Sequence, residues 1–339
     1  CYRDWSSDVC SSDLLVAASL ALVPVVGFSL FPKAGTPQFL VDIETAEGAS
    51  LARTDSAAMF AERIVRARPE VRGVFTNVGK DNPFVYYNVS QRNERSNRAQ
   101  LFVLLKDYDP SRTPSMIDSL RVALTTYPGA RIEVREFENG PPIDAPIAMR
   151  VEGSDLDSLG AVAARVERAM KATPGTQYVR NPIELTRTDL SIQVDRQKAG
   201  LLGVATAELD RTVRLATEGL EAGKFRANDG REYPIMLRLP REGRPTPNIL
   251  THVEVATTTG AMIPLGELAT LGFRSSPTLI DHRDEQRAVT VTGWVRTGFN
   301  TDRVTKAVLT KLAAVPMPPG YRLVPAGEIE SRQESFGGI

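Results

Sequence analysis

The chain has 339 residues, 42% of them hydrophobic and 24% charged, which allows two or three domains and excludes a disordered polypeptide. Its 41 basic and 41 acidic side chains cancel, and nucleic-acid binding would need a basic surplus or stripe. Only two histidines (His252, His282) and two cysteines (Cys1, Cys10) occur, which nearly excludes a Cys/His zinc site or a cysteine nucleophile with a histidine partner.

Cys1–Leu14 reads CYRDWSSDVCSSDL, rich in Ser and Asp and unlike the apolar run behind it. It resembles a translated sequencing-adapter read-through, so residues 1–14 are set apart from the fold. Both cysteines lie inside it, and the rest of the chain is cysteine-free. The alternative is a genuine polar N-terminus carrying one disulfide.

Leu15–Phe31, LVAASLALVPVVGFSLF, has no charged residue. At about 1.5 Å per residue it spans roughly 26 Å, slightly short of a ~30 Å hydrocarbon core. Residues 15–32 therefore read as a transmembrane helix that has lost its first turn. A signal peptide is the alternative, and either reading sends the residues after Lys33 across a membrane.

Beyond Lys33 one pattern recurs four times: strand, helix, proline, strand. The first copy has strand Phe39–Glu44, a helix over Ser50–Ala67 stopped by Pro69, and strand Val71–Val78. The second has strand Gln100–Lys106 and a helix with Thr113 as N-cap and Pro114 at its first position. Ile117, Leu120, Leu124 and Tyr127 form its apolar stripe, and strand Arg131–Phe137 comes after Pro128-Gly129. The third copy has strand Ile147–Val151, a capping box of Ser154 with Asp157, and strand Gln177–Arg180 after Pro174-Gly175. The fourth has strand Ala288–Val295, helix Thr301–Val315 and strand Tyr321–Pro325.

Two such copies make one β-α-β-β-α-β unit, the ferredoxin-like arrangement, and the fold class is α+β. Residues 36–138 form the first unit. Residues 139–184 and 269–333 form the second, interrupted by a small α+β subdomain over 185–268. In that insert Leu190–Val194 is extended, Asp195–Gly203 and Ala205–Glu218 are helical, and Val253–Thr257 is a strand. Phe225–Leu239 reads as a hairpin around Asn228-Asp229-Gly230.

This order resembles the resistance–nodulation–division (RND) efflux transporters, namely the periplasmic loop of their C-terminal half. The motifs that carry the resemblance are FPKAGTPQFLVDIETAEGASL (Phe31–Leu51), LFVLLKDYD (Leu101–Asp109), VDRQKAGLLGV (Val194–Val204), MIPLGELATL (Met262–Leu271), IDHRDEQRAVTV (Ile280–Val291) and MPPGYRLVPAGE (Met317–Glu328). His282 departs from the family, which usually has Arg there. The resemblance implies a proton-driven homotrimer in a bacterial inner membrane, with a periplasmic adaptor and an outer-membrane channel as partners. The two ferredoxin-like units would be porter subdomains and the insert half of a docking domain, with Asn228, Asp229 and Gly230 facing a partner. The cargo would be hydrophobic or amphiphilic small molecules. No cofactor and no catalytic or metal site is expected.

By motif match Phe75, Phe102 and Phe137 fall where the family places apolar drug-pocket residues, and Arg180 matches a cationic residue near its entrance cleft. Phe84 and Tyr86 complete the aromatic set, since a cleft lined by aromatics holds varied apolar ligands. The alternative is that strand aromatics are ordinary core. Tyr86 and Tyr87 are adjacent in a segment that reads as extended, so they would point to opposite faces. Gln91–Gln100 reads as an exposed polar loop at the cleft mouth, and Asp281–Glu285 as a turn with alternating charges. The seven methionines are scattered singly, which gives no argument for a heavy-metal branch.

The carboxylates and lysine that couple the family's transport to protons lie in later membrane helices, and none is present here. The chain therefore reads as a fragment, unable to transport alone. Two other classes stay open: a single-span adaptor or scaffold that only binds partners, and a periplasmic enzyme on a ferredoxin-like body.

Overall fold

The computed structural model describes residues 14–19, 31–184, 186–239 and 247–336. The expected membrane helix over 15–32 falls mostly outside them, as do Cys1 and Cys10. No helix among the described residues is long and apolar enough to cross a membrane. The chain divides into two compact units, one made of Cys1–Arg187 with Pro277–Ile339 and the other of Thr188–Ser276.

The first unit holds two layered bodies. The earlier runs β1 (Gln38–Thr45), α1 (Leu51–Arg66), β2 (Val71–Val78), β3 (Arg98–Leu105), α2 (Thr113–Leu124) and β4 (Ala130–Glu136). Its strands form one antiparallel sheet in the order β2-β3-β1-β4. Phe39, Val41 and Ile43 alternate along β1 and pack on Ala57, Ala61 and Val65 of α1 and on Ile117, Leu120 and Leu124 of α2. Both helices therefore cover one face of the sheet, and the even-numbered residues of β1 look the other way. Ser50 caps α1 by accepting the Arg53 amide. The expected cap of α2 is different: Arg112 holds the N-cap position without a side-chain bond, and the Thr113 hydroxyl accepts the Asp109 amide at 3.0 Å.

The second body runs β5 (Ile147–Gly153), α3 (Leu156–Lys171) and β6 (Thr176–Arg180). After the second unit it resumes with β13 (Asp281–Arg283), β14 (Gln286–Val295), α8 (Thr301–Leu312), β15 (Arg322–Gly327) and α9 (Glu328–Phe336). The sheet places β15 beside β5, β5 beside β14, and both β6 and β13 on β14, with every pairing antiparallel. Met149, Val151, Val289 and Val291 pack on Leu159, Val162 and Val166 of α3 and on Val304 and Val308 of α8. Asp155, not Ser154, is the N-cap of α3, and its carboxylate accepts the Ser158 amide at 2.8 Å. The carboxylate is one residue closer to the helix and accepts the Ser158 amide, one beyond the Asp157 amide that Ser154 was expected to serve.

The second unit contains β7 (Thr186–Val194, its first two residues still in the first unit), α4 (Arg196–Leu201), α5 (Thr206–Thr217), β8 (Leu220–Arg226), β9 (Glu232–Leu237), α6 (Pro247–Thr251), β10 (Glu254–Ala256), β11 (Met262–Pro264), α7 (Leu265–Leu268) and β12 (Ala269–Pro277). Three two-stranded sheets pair β7 with β12, β8 with β9 and β10 with β11. Leu209, Val255, Leu265 and Leu268 form its small core. The β8–β9 hairpin begins at Leu220, earlier than the Phe225 expected. Gly219 (φ +97°) ends the turn after α5 and lets the chain enter a strand at once.

Candidate functional site

The helix-free face of the first sheet is built by the register of its strands. One row across it is Phe75, Phe102, Leu40 and Arg135; the next is Asn77, Gln100, Asp42 and Glu133; the third is Arg98, Glu44 and Arg131. The first row is apolar except for Arg135, and the other two are polar and charged.

Those charges are held by buried pairs. Asp42 is 5% exposed and accepts from Gln100 Nε2 at 2.8 Å, Arg92 Nη2 at 2.8 Å and Arg135 Nη1 at 3.2 Å. Burial pushes its carboxyl up, but Arg135 and Arg92, with the Gln100 bond, outweigh it and hold it below the usual carboxylate range. Arg92 also donates three times to Asp81, at 2.8–2.9 Å. Asn82 adds bonds to Asn77 and Gln100. The segment between β2 and β3 is thereby pinned across the open face. Gln91, expected in an exposed loop, reaches the Asn82 carbonyl at 2.8 Å.

Several contacts join this face to the second layered body. Arg180, at the end of β6, pairs with Glu44 and lies 3.3 Å from Glu133. Burial raises the Glu133 carboxyl, and Arg180 offsets only part of that. Tyr178, held at φ +51°, accepts the Val134 amide at 3.0 Å. The Arg135 guanidinium lies over the Trp294 ring. Lys33 and Arg121 share Glu136 and Thr297, with Arg121 Nη2 2.9 Å from Glu136.

Two cavities sit along this junction. One of about 250 Å³ is lined by Glu44, Arg98, Arg131, Asp144, Arg180 and Asn181 among others. The other, about 40 Å³, lies between Leu40, Arg135, Phe137 and Trp294.

The expected aromatic residues do not converge. Phe75 is exposed and stands 6.3 Å from half-buried Phe102. Phe84 is exposed, and Phe137 is buried. Tyr86 stacks on Phe137 with centroids 4.4 Å apart, and Tyr87 lies 4.9 Å from Tyr86. The two tyrosines sit in a bend and a turn, not in a strand, so they do not point to opposite faces. Tyr86 donates to Asn139 Oδ1 at 3.2 Å, and Tyr87 accepts the Gly140 amide at 2.7 Å. Of the predicted residues, Phe137 lines the smaller cavity and Arg180 the larger.

Asn228, Asp229 and Gly230 form the exposed β8–β9 turn. Asp229 accepts the Arg231 amide at 3.1 Å, and Gly230 has φ +84°. Asp284 and Glu285 make a tight hairpin turn with φ of +48° and +65°.

Sequence reasoning passed over Asp42, Glu133, Arg135, Trp294 and Asn181. The signal was present in part. VDIET and IEVRE alternate apolar and charged residues, and the charged set of each strand had to share one face.

A sequence profile described as the AcrB/AcrD/AcrF family matches residues 8–338. The chain belongs to that family, the RND efflux permeases. Protein HelA of Legionella pneumophila is 25% identical over 95% of this chain and 32% of its own length. The cobalt-zinc-cadmium resistance protein CzcA of Cupriavidus metallidurans is 22% identical over 94% of this chain and 31% of its own. The cation efflux system protein CusA of Escherichia coli is 24% identical over 94% and 31%. The chain thus spans about a third of the relatives it matches. A crystal structure of a heavy metal efflux pump superposes with TM-score 0.79 at 18% identity, covering 99% of this chain and 36% of that one, so the fold is shared. The expectation of hydrophobic or amphiphilic cargo finds no support in these relatives, and relatives named for heavy-metal efflux appear although the scattered methionines gave no argument for that branch.

Proposed function

We propose that the chain is the periplasmic porter and docking portion of a proton-driven RND efflux permease in a bacterial inner membrane. In this reading residues 15–32 cross the membrane, while 36–138 form one ferredoxin-like porter subdomain. Residues 139–184 and 269–333 form the second, and 185–268 form the docking subdomain. The β-α-β-β-α-β chain order, with its antiparallel sheets, supports the ferredoxin-like assignment. The full permease works as a homotrimer with a periplasmic adaptor and an outer-membrane channel. The turn at Asn228, Asp229 and Gly230 faces one of these partners. The proton path lies in membrane helices of the full permease, where buried charge is costly and reserved for function.

The cargo we infer is a metal cation, the class named in CzcA and CusA. The observation that favours a polar over an apolar guest is the helix-free face of the first sheet, where two of the three rows are polar and Phe75, Phe102 and Leu40 make up the one apolar stretch. Two helix-backed layers joined by side-chain contacts can rock as rigid bodies about that junction.

The test is growth. The full-length permease, expressed with its adaptor in a bacterium stripped of its own cation exporters, is expected to raise tolerance to zinc, cobalt or cadmium. Arg180→Glu is expected to abolish the gain at unchanged protein amounts. Tolerance no better than an empty vector for all three metals, with dyes or detergents expelled instead, would end the cation reading.

A further inference from the structure

The cavity of about 250 Å³ beside Arg180 holds polar groups that the fold leaves unmet. Asn181 is 5% exposed, and neither its Nδ2 nor its Oδ1 has a hydrogen-bond partner. The Nε of Arg98 is also buried without an acceptor. Buried donors and acceptors are rarely left in this state unless something else satisfies them.

Charges of both signs surround these groups. Arg95, Arg98, Arg131 and Arg180 line this cavity with Glu44, Glu47, Asp144 and Asp281, the last two of which also line a neighbouring cavity of about 510 Å³. Glu44 is shared between Arg180 and Arg98, the latter at 3.7 Å. Burial, then repulsion from Arg92, holds the Arg98 guanidinium below its usual value, with Glu44 offsetting part of that.

A bare cation is a poor guest, because four guanidiniums match the cavity's four carboxylates and two of those, Glu44 and Glu47, are already paired with arginines. Among the described residues no three His, Cys, Asp or Glu side chains come together to hold a metal ion. The unmet groups ask instead for an acceptor facing Arg98 and the Asn181 N–H, and for a donor facing the Asn181 oxygen. A molecule with a carboxylate and a nearby nitrogen supplies both.

We propose that this cavity binds a small amino-carboxylate, its carboxylate taken by Arg98, Arg131 and the Asn181 amide N–H, with the N–H of the free acid, or a metal-bound water of its chelate, directed to the Asn181 carbonyl oxygen and the Asp144 side. The inference rests on the export reading and names the form in which cargo is held, either as the free acid or as its chelate with the exported cation.

The test is calorimetric titration of the detergent-solubilised full-length permease with nitrilotriacetate alone, zinc sulfate alone and their equimolar complex. Nitrilotriacetate or the complex is expected to bind, and the tighter of the two tells whether the acid is recognised free or as the chelate. Arg131→Gln and Asn181→Asp are each expected to weaken that binding at least tenfold. Arg131 is exposed, so its replacement leaves the core intact. Heat from zinc sulfate with none from the other two probes overturns the assignment. So does binding that both variants leave unchanged. Cell tolerance separates the two readings: a permease that protects against zinc but binds no nitrilotriacetate ends this inference and leaves export standing. Binding without protection against any of the three metals does the reverse.

Discussion

The guanidinium of Arg135 lies 4.1 Å from the centroid of the Trp294 ring. Arg135 stands on β4 and Trp294 on β14, so the contact joins the two layered bodies of the first unit. A cation over an indole is worth about 0.5–2 kcal/mol, more as water is excluded. A double-mutant cycle with Arg135→Met and Trp294→Leu, read out by chemical denaturation, is expected to return a coupling of about 1 kcal/mol. Arg135 also bonds Asp42, so its single variant should cost more than that of Trp294. Additive losses would mean that the ring and the guanidinium do not interact.

Arg92 bridges two buried carboxylates, Asp42 and Asp81. Breaking a buried pair by removing one partner costs roughly 3–5 kcal/mol, and the partial exposure of Arg92 places it at the low end. Arg92→Met is therefore expected to lower stability by about 3 kcal/mol at neutral pH. The Asp42 carboxyl is held below its ordinary value of 3.8, so its contribution is present above that pH and lost as pH falls through the folded value. The gap between variant and parent should narrow below about pH 4. Denaturant midpoints at two pH values check this, and a gap that widens in acid would contradict it.

Glu138 behaves in the opposite sense. Burial pushes its carboxyl up to about 7, with Glu328 and Glu136 adding to the rise and Arg135 and Lys33 opposing it. Between 4.5 and about 7 the folded chain keeps a proton that the unfolded chain has released, so stability falls as pH rises across that window. Glu138→Gln should remove this slope. The expected gain is at most about 3 kcal/mol near pH 8, vanishing below about pH 4.5. Parallel melting curves at the two pH values are the measurement; an equal shift at both would show that the carboxyl is not titrating there.

The C-terminal ends of helices were the most legible part of the fold. Pro128-Gly129 and Pro174-Gly175 mark real stops, with Gly129 and Gly175 at φ +80° and +92°. The helix read over Ser50–Ala67 spans Leu51–Arg66. Local signals sufficed there because turn chemistry decides them. The site was less legible. Tyr86 and Tyr87 lie in a turn fixed by long-range bonds to Asn139 and Gly140, which no local pattern encodes. The pairing of Arg92 with Asp42 and Asp81 depends on where a long segment crosses a sheet. Asn181 looks like any polar residue after a strand until the cavity around it is seen.

Phe75 and Phe137 carried equal weight in the sequence, and the structure separates them. Phe137 is 4% exposed and stacked on Tyr86, whereas Phe75 is 59% exposed on the open face. Phe137→Ala removes a packed ring and is expected to cost about 3–5 kcal/mol. Phe75→Ala loses only a distant stacking contact with Phe102 and should stay within roughly 1 kcal/mol. Thermal denaturation of the two variants checks the difference. In the full-length permease Phe137→Ala should lower the amount of folded protein, so reduced tolerance there says little about cargo. Phe75→Ala is the informative variant. If the cargo is charged, zinc tolerance should stay at the parent level, because the polar rows behind Phe75 are intact. A loss of tolerance at normal protein amounts would bring the aromatic row into the cargo path and argue for a guest with an apolar side.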